Sequence, residues 1–158
     1  MIKTSDITAL IAVKLNSERI PKKNVRPFAN TSLLELKIKQ LTSSNVFKNI
    51  LISSESDSIL KICKKFEVNT HKRDPYYSTS HVPMSEVYPY LANQIKTKYV
   101  AWIPVTNPLI NNKIYKKAIN DFKKMDHKKY DSLLSVEGKQ EYLYHKGKPL
   151  NFTRVPHM

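Results

Sequence analysis

The sequence predicts an α/β fold of three layers, a mainly parallel sheet flanked by helices. Two observations predict it. Short apolar runs alternate with windows of helical periodicity through 158 residues, in the order β-α-β-α-β-α-β-α-β. The first run, 7–13, is apolar almost throughout, as a strand buried on both faces must be. Right-handed crossovers then put helices on both sides of the sheet.

Each element has its own signal. After strand 7–13 comes a polar loop, 15–30. Ser32 and Glu35 form a capping-box pattern, and Leu34, Ile38 and Leu41 recur behind it at helical spacing. A second strand is expected over 49–53. Ser54 and Asp57 resemble another cap, followed by the stripe Ile59, Ile62, Cys63 and Phe66. Residues 68–71 make a weak third strand. A polar and aromatic loop, 73–82, precedes a stripe of Met84, Val87, Tyr88, Leu91 and Ile95, in which Pro89 is a potential kink. Strand 99–103 ends at Pro104 and Pro108. Asn111 then caps a helix whose apolar face is Ile114, Ala118, Ile119 and Phe122. A further strand is expected over 132–136. Segments 141–145 and 149–152, joined by Lys146, Gly147 and Lys148, read as a hairpin.

Composition excludes several classes. Only Gly138 and Gly147 are glycines, so a Walker A loop, a dinucleotide fingerprint and a kinase glycine loop are all absent. Phosphate would have to be held by side chains. Cys63 is the lone cysteine and has no internal disulfide partner. No apolar stretch is long enough to span a membrane, and no secretory signal opens the chain, so a cytoplasmic location is expected. The net charge of +14 suggests a polyanionic partner. Yet lysines dominate and are spread along the whole chain, while arginine appears only four times. That pattern favours a solvated lysine-rich surface over a nucleic-acid interface.

Ligands of parallel sheets bind outside the carboxyl ends of the strands. Candidate chemistry therefore lies in 14–24, 53–57, 72–82 and 104–110. The first of these is the most informative. Lys14, Arg19, Lys22 and Lys23 fall within ten residues directly after the buried strand, interleaved with Asn16, Ser17 and Asn24. A triphosphate carries about four negative charges, and such a loop can hold it by charge-assisted hydrogen bonds. Pro21 stiffens the loop and lowers the ordering cost of binding. The histidines lack metal-ligand spacing, and Cys63 sits in an apolar stripe, as a structural thiol does.

The stretch IAVKLNSERIPKKNVRPF at 11–28 resembles the nucleotide-binding opening of the cytidylyltransferases that activate acidic sugars. These are the CMP-sialic acid synthetases and their relatives for other nonulosonic acids and KDO. Their pattern is a strand followed by A-R-x-x-S-x-R-x-P-x-K-N. Ser17, Arg19, Pro21, Lys23 and Asn24 match it, and Lys14 stands at the first arginine. ILISSESD at 50–57, Arg73, VAWIPVTNPL at 100–109 and DSLLSV at 131–136 are similar to later family segments. Glu18, Pro104 and Ile110 depart from the pattern.

The resemblance implies a GT-A-like, Rossmann-like nucleotide-diphosphosugar transferase fold, with 1–158 as one nucleotidyltransferase-like domain. Residues 137–158 would begin a C-terminal hairpin and dimerisation region, making a homodimer. It implies transfer of CMP from CTP to an acidic sugar, with Mg²⁺ present and pyrophosphate released, for surface-glycan synthesis. Lys14, Arg19 and Lys23 would be catalytic, holding phosphates and offsetting charge on the leaving group. Leu15, Asn16, Ser17, Asn24, Arg73 and Ser80 would bind the nucleotide, with Arg73 and Ser80 at the cytosine edge. Thr106 and Asn107 would face the sugar. Family members continue beyond Met158 into a segment with metal-binding aspartates, so no metal ligands are identified here and this chain is expected to bind CTP but turn over slowly or not at all. The alternatives are a nucleotide-binding, catalytically incomplete homologue and a basic nucleic-acid-binding module.

Overall fold

A computed structural model describes residues 2–138 and 141–153. Four strands form one parallel sheet: β1 (Ile7–Ala12), β2 (Asn49–Ser54), β3 (Asn69–Lys72) and β4 (Tyr99–Trp102). Their order is β3-β2-β1-β4. The chain steps outward from β1 through β2 to β3, then returns to lay β4 on the other side of β1. The order reverses between β1 and β4, which opens a crevice at their carboxyl ends.

The helices are α1 (Leu33–Ser44), α2 (Asp57–Cys63), α3 (Met84–Ala92) and α4 (Asn112–Lys124). Alternation along β1 divides the core in two. Ile7, Ala9 and Ile11 point to a cluster shared with Leu34, Ile38 and Leu41 of α1, Ile59 and Cys63 of α2, and Ile119 of α4. Leu10 points the other way, to Val87 and Leu91 of α3. Three helices thus cover one face and one covers the other, giving the expected three layers. Burial of both faces explains why this strand is apolar at every position but Thr8, whose hydroxyl bonds that of Thr97.

The caps behave unequally. The Ser32 hydroxyl accepts from the Glu35 N–H at 3.2 Å and donates to the Glu35 carboxylate at 2.8 Å. Asn111 Oδ1 accepts from the N–H groups of Lys113 and Ile114. Ser54 instead belongs to β2, and α2 starts at Asp57 behind Ser56, which makes no side-chain cap. The α3 helix runs through Pro89. The buried stripe of α4 passes through Tyr115 and Ile119, and Ile114 lies outside it, exposed.

The expected strand over 132–136 does not form. Leu134 is 80% and Val136 89% exposed. β-propensity makes a strand only where a partner edge is available, and among the described residues this segment pairs with none. The hairpin does form, as β5 (Tyr144–His145) against β6 (Lys148–Pro149). Lys146 and Gly147 both have positive φ, 47° and 75°, as a tight two-residue hairpin turn requires. Lys148 belongs to the strand and not to the turn. Of the expected region 137–158, residues 139–140 and 154–158 lie outside the described residues.

Candidate nucleotide-binding site

An open cleft of about 310 Å³ lies at the carboxyl ends of β1 and β4. Lys14, Ser17, Glu18, Arg19, Lys23 and Asn24 line it from the loop after β1. Trp102, Pro104, Val105 and Thr106 line it from the end of β4. Three cations therefore converge on the crevice where the sheet order reverses.

The loop is glycine-free, so its shape is held by side chains. Asn24 is buried and its Nδ2 donates to the Lys14 carbonyl oxygen at 3.0 Å, closing the loop upon itself. The Asn24 carbonyl accepts from Leu34 N–H, also at 3.0 Å, joining the loop to the start of α1. Lys22 takes a left-handed backbone with φ of 51°, and its carbonyl accepts from the N–H groups of Val25 and Arg26. The N–H of Leu15 donates to Glu55 Oε1 at 2.8 Å.

Glu55 is itself paired with Arg73. The guanidinium Nη2 lies 3.3 Å from Glu55 Oε2 and donates to the Val13 carbonyl at 2.8 Å. Burial raises the Glu55 pKa, but the Leu15 N–H and the Arg73 guanidinium outweigh it, leaving the carboxyl below its ordinary range. The pair thus grips the chain on both sides of Lys14, at Val13 and at Leu15.

The expected site residues separate into groups. Lys14, Ser17, Arg19, Lys23, Asn24 and Thr106 come together in the cleft. Asn16 and Asn107 are exposed just outside its lining, and Leu15 packs against the core. Arg73, expected at the base edge, is 4% exposed and already bonded on its Nη2. Ser80 reaches the cleft mouth, where its hydroxyl donates to the Glu18 carboxylate. Trp102 was not expected here, although its place at the end of β4 is where ligands of such sheets bind.

Glu18 is the one carboxylate in the lining, and it stands 3.9 Å from Lys14 Nζ. Both oxygens of Glu55 are occupied, and Asp57 pairs with Lys72 at 2.6 Å. No group of three acidic, histidine or cysteine residues suited to a metal is found among the described residues. A nucleotide-bound Mg²⁺ takes only one or two protein carboxylates beside the phosphates, and in this lining Glu18 would supply one.

Comparison with known proteins bears on the fold and the family. The fold is that of nucleotidyltransferases. A CMP:2-keto-3-deoxy-manno-octonic acid synthetase, solved with CTP, superposes with a TM-score of 0.65 at 8% identity, over 76% of this chain and 48% of its own. A cytidylyltransferase from Leptospira borgpetersenii superposes at 0.62 with 22% identity, over 76% of this chain and 50% of its own. The family model described as cytidylyltransferase matches residues 8–152, and the chain belongs to that family. N-acylneuraminate cytidylyltransferase A of Danio rerio is 27% identical over 135 residues, 85% of this chain and 31% of the relative. Pseudaminic acid cytidylyltransferase of Campylobacter jejuni is 24% identical over 119 residues, 72% of this chain and 51% of the relative. The chain thus spans 31% and 51% of the length of these curated relatives. Among the described residues no helix is long and apolar enough to cross a membrane.

Proposed function

We propose that this chain binds CTP and takes part in transferring CMP to an acidic nonulosonic sugar, with pyrophosphate released, in surface-glycan synthesis. The observation that carries the reading is the convergence of Lys14, Arg19 and Lys23 on one cleft at the switch point of the sheet. The names of the relatives supply the substrate class, since both N-acylneuraminate and pseudaminic acid are nonulosonic acids.

In this reading the sugar's anomeric hydroxyl attacks the α-phosphorus. Its oxygen–phosphorus bond forms, the bond to the oxygen bridging the α- and β-phosphates breaks, and the hydroxyl proton passes to solvent as pyrophosphate leaves. The protein needs no nucleophile of its own, so positioning and charge dominate. Lys14, Arg19 and Lys23 neutralise the triphosphate and then the departing pyrophosphate. Ser17 donates to a phosphate oxygen, and Asn24 preserves the loop's shape. Glu55 and Arg73 act through that loop as positioning residues. Thr106 and Asn107 meet the sugar, and Ser80 approaches the nucleotide from the opposite rim. A cytoplasmic location and a homodimer whose contact region begins within 137–158 belong to the same reading.

The test is pyrophosphate release by the purified chain with CTP and a panel of nonulosonic acids. Release that requires both substrates supports the reading. Release without a sugar, or with neutral hexoses alone, removes it. A second reading, CTP binding without turnover, is favoured by Glu18 being the one carboxylate in the cleft lining. It predicts saturable CTP binding with no pyrophosphate.

A further inference from the structure

Lys37 lies on the buried stripe of α1 between Leu34 and Leu41 and is 0% exposed. Among the described residues no carboxylate pairs with it. Its Nζ donates to the backbone carbonyl of Asn107 and to the Tyr115 hydroxyl, both at 2.8 Å, and stands 5.3 Å from the centre of the Tyr115 ring. Three residues on, Gln40 Nε2 donates to the Pro108 carbonyl at 2.7 Å. Residues i and i+3 share a helix face, so two neighbouring side chains of α1 hold two consecutive carbonyls of one segment.

That segment is the wall of the cleft. It leaves β4 at Trp102, lines the cleft with Pro104, Val105 and Thr106, and is then held at Asn107 and Pro108. Because the grip is on the backbone, the side chains of Thr106 and Asn107 remain exposed. A buried ammonium without a counter-ion is expensive, and methionine or leucine would fill the same stripe without that penalty. Core packing therefore does not account for a lysine here, whereas the hold on the Asn107 carbonyl does.

We propose that Lys37 and Gln40 are positioning residues of the cleft. They hold the backbone at 107–108 so that Thr106 presents its hydroxyl to the sugar side of the site. The hold itself is independent of the ligand, and only the identity of what Thr106 meets rests on the acidic-sugar reading.

The test uses Lys37→Met and Gln40→Leu in the full chain, read by amide hydrogen exchange and by substrate dependence. Either variant suffices, so loss of folding in Lys37→Met leaves Gln40→Leu to decide. The expected result is exchange faster by roughly tenfold or more at the Ile110 amide, which donates to the held Asn107 carbonyl, with β1 and β2 unchanged. The KM for the acidic sugar rises while CTP affinity stays within about twofold, a split that general core loosening would not produce. Unchanged exchange at the Ile110 amide overturns the proposal, as does an equal rise in β1 or an equal loss of CTP binding. Faster local exchange in a chain that uses no acidic sugar upholds the positioning role and refutes the sugar reading alone.

Discussion

Arg73 Nη2 lies 3.3 Å from Glu55 Oε2, and this ion pair stands beneath the loop that carries the cleft's cations. Its side chains are 5% and 19% exposed, so neither charge is well solvated. Removing one partner leaves the other uncompensated. Arg73→Met is expected to destabilise the fold by about 3–5 kcal/mol, measured by urea unfolding. The double variant Arg73→Met with Glu55→Gln should recover part of that loss. Full additivity of the two single changes would show that the residues do not act as a pair.

The same pair sets an acid limit. The Glu55 pKa is lowered on folding, so its stabilising effect is present above its ordinary 4.5 and lost as pH falls through the lower folded value. The stability gap between the native chain and Glu55→Gln should be constant near neutrality and narrow below pH 4.5. A gap that widens on acidification contradicts the assignment.

Lys37 has the opposite consequence. Burial lowers its pKa from 10.5 to about 8, so between those values the unfolded chain binds more protons. Stability contributed by this group therefore rises with pH across that window. The Tyr115 hydroxyl, pushed up to about 12 by burial, stays protonated throughout it. Urea midpoints of the native chain and Lys37→Met should diverge in the native chain's favour between about pH 7.5 and about pH 9.5. Parallel pH profiles would show that Lys37 does not titrate in the folded state.

Much of this fold was legible in the sequence, and the failures have physical causes. The apolar run of β1 and the caps at Ser32 and Asn111 were explicit. Backbone bonding even continues to the expected strand ends, since Val13 N–H reaches the Ser53 carbonyl and Ile103 N–H the Leu10 carbonyl, both at 2.9 Å. Leu134 and Val136 misled because strand propensity says nothing about whether an edge is available. In the cleft, Lys14, Ser17, Arg19 and Lys23 were legible as one cationic loop after the first strand, though spacing alone did not say what they bind. Arg73 was visible as a cation near a strand end, but its partners Val13 and Glu55 are distant in sequence. Lys37 carried one signal, a lysine inside the stripe of Leu34, Ile38 and Leu41. Reading it required knowing that Asn107 packs there.

Glu18 places a negative charge inside a cationic cleft, 3.9 Å from Lys14. Glu18→Gln removes repulsion toward a triphosphate and frees Lys14. CTP should bind about two- to fivefold tighter at low ionic strength, with the gain shrinking as salt screens the charges. Titration calorimetry at two salt concentrations checks both halves. Weaker binding would mean that Glu18 contributes directly to holding the nucleotide complex.

A site for CTP discriminates among nucleotides, whereas a patch of positive charge does not. The deciding measurement is calorimetric titration of the native chain, Lys23→Ala and the exposed control Lys128→Ala with CTP, ATP, GTP and UTP. CTP should bind tightest. Lys23→Ala should cost about 1.5–3 kcal/mol of CTP affinity, the worth of a charged hydrogen bond, while Lys128→Ala changes little. Equal affinities for all four nucleotides, or equal losses in the two lysine variants, would contradict a CTP site.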